Sequence, residues 1–327
     1  MTGTMEQGRL MTLSTSKRIG VTGATGFIGG AICIELKRRG FTVIALDKVK
    51  RPYLEKYFDK FYHCDFLNLV TRDMTEWLGL DAIIHCAGTS LVGPSFEQPL
   101  QYYTNNVAKT LSLLEWLHYH KSPTHVLFSS SASVYKTSHL ALRETDTLNP
   151  LSPYAKSKRM IEVALQDIAA AHGFKSTVFR YFNACGAIDT QHGQAPGASH
   201  IFPRLFESEQ FIMNGEDFST PDGTCVRDYI HVLDIADAHI KAIDGGVTGI
   251  FNLGSNSGFS NLEIVNAVGI KTWRVEGRRP GDCDSLIADN GLAKKMLGWT
   301  PTNSLREIVN SLQVWYDSDI YKELNRK

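Results

Sequence analysis

The sequence holds 327 residues, with 34 Lys and Arg against 34 Asp and Glu, formal net charge +0, and 43% hydrophobic residues. That length can bury a full core in one large α/β unit or two joined lobes, and the charge balance gives no reason to expect a nucleic-acid partner. No apolar run approaches the ~18 residues of a membrane span, and six cysteines placed singly, at 33, 64, 86, 185, 225 and 283, form no CxxC pair. Zinc and redox motifs are therefore not expected, and free thiols fit a cytoplasmic protein.

Residues 1–16 are polar and lack the apolar stretch of a secretion signal, so they read as a flexible extension, with Met11 as an alternative start. Short apolar runs then predict strands at Ile19–Val21, Thr42–Leu46, Phe61–His63, Ala82–His85, Val126–Phe128 and Thr177–Phe179, apolar on both faces as in a sheet covered by helices. Helices are predicted between them, including Ile28–Arg39, ended by Gly40, and the amphipathic stretches Leu100–His118 and Tyr154–His172. Strict β-α alternation predicts an α/β fold, a doubly wound parallel Rossmann sheet. After residue 183 the pattern loosens, and the Gly- and Ala-rich 186–199 reads as a functional loop.

TGATGFIG at 22–29 follows the first strand and opens the first helix, with Gly23, Gly26 and Gly29 at GxxGxxG spacing. Gly23 permits the tight turn, Gly26 lets backbone approach a pyrophosphate, and Gly29 lets helix pack on sheet. The helix start offers N–H groups to the phosphates. Asp47, ending the second strand, is positioned to accept from ribose hydroxyls and to repel a 2′-phosphate, which points to NAD; Lys48 and Lys50 weaken that exclusion. Asp65 is either an acceptor for the adenine amino group or a turn residue.

Tyr154 and Lys158, in YAKSK, sit four apart, hence on one face of a helix. A nearby ammonium and a positively charged nicotinamide ring would lower the phenol pKa and make Tyr154 a general base. SSSASVY at 129–135 follows a strand, so Ser129–Ser131 lie at the sheet's C-terminal edge, where such folds bind ligands. A serine hydroxyl there can share its proton with Tyr154.

TGATGFIG, HCAG (85–88), YYTNNV (102–107), FSSSASVY (128–135), SPYAKSK (152–158), RYFNACGA (180–187), DGTCVRDYIHV (222–232), FNLG (251–254) and RRPGD (278–282) resemble motifs of the UDP-galactose 4-epimerase family, from residue 18 to about 317. The resemblance implies NAD-dependent C4 epimerisation of a UDP-hexose through a 4-keto intermediate. It implies a Rossmann domain at 17–183 and 228–260, with a smaller C-terminal substrate-binding lobe at 184–227 and 261–327. By resemblance Ser131, Tyr154 and Lys158 are the catalytic triad. Phe27, Ile28, Asp65, Phe66, Ala87, Asn105, Ser129 and Tyr181 join the glycines and Asp47 at the cofactor. Tyr181, Phe182 and Asn183 lie where cofactor and sugar nucleotide meet. Asn183, Arg227 and Arg279 bind the nucleotide diphosphate, with Asp282 on the ribose, and His200 stands in a nucleotide-binding stretch where family members vary. Leu286, four residues beyond Asp282, stands where a bulky Tyr marks epimerases restricted to plain hexoses, so N-acetyl sugars are expected to enter. A homodimer through the matching helices is implied, with neither metal, nucleic acid nor membrane.

Other readings stay open at single positions. Arg227 could pair with Asp228, Arg278 and Arg279 could form a solvated basic turn, and Leu286 could be a core residue. His118 and His120 do not share a helix face and read as structural or exposed. Ser90 replaces a family lysine, Lys136 replaces a glycine, and 243–249 and 268–278 look shortened. The rival functions are a nucleotide-sugar dehydratase or oxidoreductase on the same scaffold, or a non-catalytic NAD-binding protein. A dehydratase of this scaffold usually carries carboxylates where Ser129, Ser130 and Ser131 stand.

Overall fold

The computed structural model describes residues 16–138, 140–208, 210–279 and 282–326. The expected extension, Met11 included, lies outside them up to residue 15. At the centre is a seven-stranded sheet of β1 (Arg18–Thr22), β2 (Thr42–Asp47), β3 (Lys60–His63), β4 (Ala82–His85), β5 (His125–Ser131), β6 (Ser176–Tyr181) and β7 (Gly249–Leu253). Its spatial order is β3-β2-β1-β4-β5-β6-β7, with all neighbours parallel. The chain reverses its direction of travel across the sheet between β1 and β4, which opens a crevice at their C-terminal ends.

All six predicted strands are present, but β7 carries no apolar run long enough to stand out. Its Asn252 is fully buried and hydrogen-bonded, not apolar. β3 is an edge strand with half-exposed side chains, contrary to the expectation of two covered faces. The helix Phe27–Arg38 lies on one face with Val232–Gly245 beside it. Their Ile32, Leu36, Ile235 and Ile240 share a core with Ile19, Val21 and Val43. Leu113, Leu117, Ile161 and Leu165 cover the other face.

The predicted Leu100–His118 helix runs from Pro99 to Tyr119, but a π-helical segment, Tyr103–Ala108, interrupts it. Pro153–His172 forms as predicted, with Pro153 in its first turn and the Ser152 hydroxyl accepting from Ala155 N at 3.1 Å.

The looser second half builds a small sheet around the strand Val226–His231. Gly258–Ser260, Ser285–Leu286 and Asn183–Cys185 all pair with it. Phe211–Asn214 pairs with Trp273–Glu276 nearby. A separate core of Phe202, Leu205, Ile264, Leu312 and Trp315 supports these strands. Residues 186–199 run as irregular chain, pinned by one bridge between Ile188 and His192.

Candidate active site

The glycine turn is a cradle that side chains would fill. Gly23 takes φ +71, and a Cβ on it would stand 2.7 Å from Ala87 N. A Cβ on Gly29 would run into the Gly23 carbonyl oxygen. Gly26 caps the helix without a side chain, which leaves the N–H groups of Phe27, Ile28 and the rest of the first turn available to an anion. Asp47 ends β2 beside this turn. Its carboxylate accepts from Thr25 N and Val49 N, both at 3.0 Å. Lys48 and Lys50 are drawn away to Asp65 (3.8 Å) and Glu55 (3.1 Å). The cradle and the held carboxylate fit a dinucleotide with a free ribose diol.

Asp65 accepts from Lys109 Nζ (2.7 Å) and Leu67 N (3.0 Å). Burial raises its carboxyl pKa, but the lysine and the N–H outweigh it and hold the group below its ordinary range. Phe66 is buried with its ring edge-on to His85 at 4.8 Å. Ala87 N donates to Thr22 Oγ1 (3.4 Å), next to the glycine turn.

Ser131, Tyr154 and Lys158 come together at the C-terminal end of β5. Lys158 Nζ donates to the Ser129 carbonyl at 2.7 Å and lies 5.8 Å from the Tyr154 ring centroid. The Ser131 hydroxyl accepts from Ser133 N (3.2 Å) and Ser133 Oγ (3.0 Å) and meets the Tyr154 phenol. Burial pushes Tyr154 up to about 12, and the Ser131 contact only partly offsets it. Burial pulls Lys158 down to about 8. The expectation that the ammonium lowers the phenol pKa is therefore corrected for the protein alone: Lys158 is turned onto a backbone carbonyl, and desolvation of the phenolate dominates.

Beneath this cluster lie partners with no local signature. Ser129 Oγ lies 2.9 Å from Tyr181 Oη, which lies 2.9 Å from His239 Nε2. Ser130 Oγ donates to the fully buried Glu162 (2.5 Å), which Arg180 grips through Nε (3.0 Å) and NH2 (2.8 Å). Asn106, not Asn105, is the main tie between segments. Its amide accepts from Thr89 N (2.8 Å) and donates to Thr89 O (2.9 Å) and Ser157 Oγ (3.0 Å), whereas Asn105 reaches only Thr89 Oγ1 (3.2 Å). The signal was available in YYTNNV: Asn106 falls four after Tyr102 and seven before Leu113, both buried. Ser90 and Lys136 are exposed.

On the substrate side, Asn183 Nδ2 donates to Asp228 O (3.1 Å). Arg227 is paired with Asp282 (3.2 Å) and donates to the Cys283 carbonyl (2.8 Å). The alternative pairing with Asp228 is overturned, because that carboxylate is buried and accepts from Ser255 N, Asn256 N and Ala288 N. Arg278 is held by Asp217 (2.7 Å) and stacks on Phe218, while exposed Arg279 pairs with no acceptor among the described residues. Both arginines lie on exposed irregular chain, as the basic-turn reading has it, with Arg278 tied to a surface carboxylate. His200 is exposed at the start of Ile201–Glu207. Leu286 is half-buried against the cluster of Ala132, Tyr135 and Phe182. His118 lies against His172 with ring centroids 4.2 Å apart and the planes tilted by 31°, both exposed.

Residues 19–254 match the model of the NAD dependent epimerase/dehydratase family. The UDP-glucose 4-epimerase of Streptococcus mutans is 34% identical over 327 aligned residues, covering 91% of this chain and 96% of that protein. The UDP-glucose 4-epimerase from Bifidobacterium longum, solved with NAD+ and UDP, superposes with TM-score 0.86 at 32% identity over 93% of this chain and 99% of that one. The UDP-Glc/GlcNAc 4-epimerase from Campylobacter jejuni superposes with TM-score 0.78 at 30% identity over 92% and 99%.

Proposed function

The chain belongs to the NAD-dependent epimerase/dehydratase family, and from that membership we propose that it interconverts UDP-glucose and UDP-galactose at C4, with NAD as its resident cofactor. The observation that carries this reading is the meeting of Ser131, Tyr154 and Lys158 at the end of β5, separated from the glycine cradle after β1 by β4 alone. NAD supplies a reversible hydride acceptor for the sugar's C4. The protein moves the proton: Tyr154 Oη takes it from the 4-hydroxyl and returns it, Ser131 Oγ bridges phenol and sugar oxygen, and Lys158 supplies positive charge nearby. The phenol stands near 12 in the protein alone, so Tyr154 serves as a base only with further positive charge in the site. The positive ring of NAD+ fits that need.

We assign Gly23, Gly26, Phe27, Ile28 and Gly29 to the pyrophosphate, Asp47 to the adenosine ribose, and Asp65, Phe66, Ala87, Asn105, Ser129 and Tyr181 to the rest of the cofactor. Arg227, Arg279, Asn183 and His200 clamp the diphosphate side, and Asp282 serves the ribose. The guanidinium of Arg279, which meets no acceptor among the described residues, supports this, since Arg forks match phosphate oxygens. A clamped diphosphate retains the 4-keto sugar while it turns over. The proposed lobes, 17–183 with 228–260 and 184–227 with 261–327, are supported by the passage of the chain from the smaller sheet at Val226–His231 into the helix Val232–Gly245, which packs beside Phe27–Arg38.

The dehydratase reading requires a carboxylate at the serine run. Glu162 does reach Ser130, but Arg180 and Arg159 already hold it. A homodimer is supported by Phe96, Leu100, Leu111, Met160 and Val163, exposed on Val92–Glu97 and on the two helices expected to pair. Light scattering at micromolar concentration checks it, with monomer alone as the contrary result. Six free cysteines support a cytoplasmic setting. The activity test is incubation with UDP-galactose and no added reductant, followed by chromatography. UDP-glucose is the expected product, and unchanged substrate refutes the proposal.

A further inference from the structure

The irregular chain after Cys185 is fastened at both sides. Its Ile188 packs with Ala31 and Ile34 of the cofactor helix, and its Gln191 accepts from the Tyr57 phenol. On the other side Ala187 N donates to Ser311 Oγ (3.1 Å), and the Gln194 carbonyl accepts from Trp315 Nε1 (3.0 Å). His192 makes the most specific of these ties. It is 1% exposed, with Nε2 2.8 Å from the Phe27 carbonyl oxygen and Nδ1 3.3 Å from Tyr53 Oη.

A carbonyl only accepts, so the proton sits on Nε2, and Nδ1 accepts from the phenol. One neutral tautomer satisfies both bonds. Burial keeps the ring neutral by drawing its pKa down to about 4. The arrangement also explains Gly30, which lies outside the GxxGxxG spacing. A Cβ there would stand 2.6 Å from His192 Nε2, so this glycine makes room for the imidazole.

We propose that His192 is a latch on the cofactor: it ties the substrate-side loop to the first turn of the helix whose N-terminus holds the dinucleotide pyrophosphate, and the dinucleotide leaves only when that tie opens. The inference rests on the NAD reading above. Phe27 is the first residue of that helix, so the imidazole fixes the turn whose N–H groups face the phosphates. With the loop bound to both lobes, they cannot part on this side without breaking the His192 bonds. His192 is a positioning residue and takes no part in the proton transfer.

The test is exchange of protein-bound NAD for isotopically labelled NAD, read by mass spectrometry after rapid desalting. His192→Ala should exchange roughly 10-fold faster, as loss of a hydrogen bond and its packing would give. His192→Gln keeps an N–H donor near the carbonyl and should stay within about threefold of wild type. A purely architectural histidine would lower the thermal midpoint of the alanine variant and leave exchange at room temperature unchanged, which overturns the latch. If His192→Ala fails to fold, Tyr53→Phe decides: it removes the donor to Nδ1 together with the phenol's contact to Arg51, and exchange a few-fold faster than wild type and than Arg51→Met supports the latch, while a rate equal to either refutes it. Wild type that carries no dinucleotide sinks the cofactor reading and the latch with it. Wild type that holds NAD and is indifferent to both positions sinks the latch alone.

Discussion

In the proposed mechanism Tyr154 moves the proton and Lys158 supplies positive charge, and burial displaces each from its ordinary pKa. Tyr154→Phe keeps the ring against Tyr102 and deletes only the proton-transfer group. Turnover should fall ~10²-fold or more with the dinucleotide still bound, and near-normal rates would contradict the assignment. Lys158 offers a separate stability test. Its folded pKa of about 8 lies below the ordinary 10.5, so the folded state gives up the proton first. Burying the ammonium therefore costs stability below pH 8, and that cost fades as pH rises from 8 to 10.5. Against Lys158→Met, the wild type should gain on the order of 3 kcal/mol across that window. Denaturant midpoints at neutral and alkaline pH check it, and parallel curves for the two proteins would contradict it. At this scale the residues with local spacing were legible, because GxxGxxG and Tyr-x-x-x-Lys each encode one turn of structure. Their partners were not. Arg180 meets Glu162 from 18 residues away, His239 meets Tyr181 from 58, and Arg227 meets Asp282 from 55. Tyr181, Arg227 and Asp282 were named by resemblance, but nothing in the local pattern shows which residue each one meets.

Among the elements, helices and covered strands were readable from apolar periodicity, since burial imposes it. β7 escaped because a buried Asn252 interrupts it, and the π turn at Tyr103–Ala108 escaped because one extra residue per turn leaves the apolar pattern almost intact. The two-residue strand Ser285–Leu286 carries the position proposed to set sugar specificity. It pairs Leu286 with Arg227 in register and leans the leucine on the wall shared with Ala132 and Phe182. Its half-burial keeps the core-residue reading open beside the gate reading. A gate predicts measurable activity on UDP-N-acetylglucosamine. Leu286→Tyr should then suppress that activity more than activity on UDP-glucose, by about 1–3 kcal/mol of discrimination, the range for added bulk in a pocket. Equal loss on both sugars would return Leu286 to the core.

In the whole molecule, a parallel sheet carries the glycine cradle at its C-terminal edge, and a small second sheet carries Asn183 and Arg227, two residues of the proposed diphosphate clamp. The doubly wound half was legible as β-α alternation. The second half was not, because its strands are two to six residues long and find their partners across long stretches of sequence. The central claim is that one site removes hydrogen from C4 and gives it back to the same carbon, with the sugar nucleotide held throughout. UDP-galactose carrying deuterium at C4 tests it directly. The account predicts UDP-glucose that keeps the deuterium at C4, with none appearing in water or free NADH. Loss of the label to solvent, its accumulation in released NADH, or its migration to another carbon of the product would contradict it.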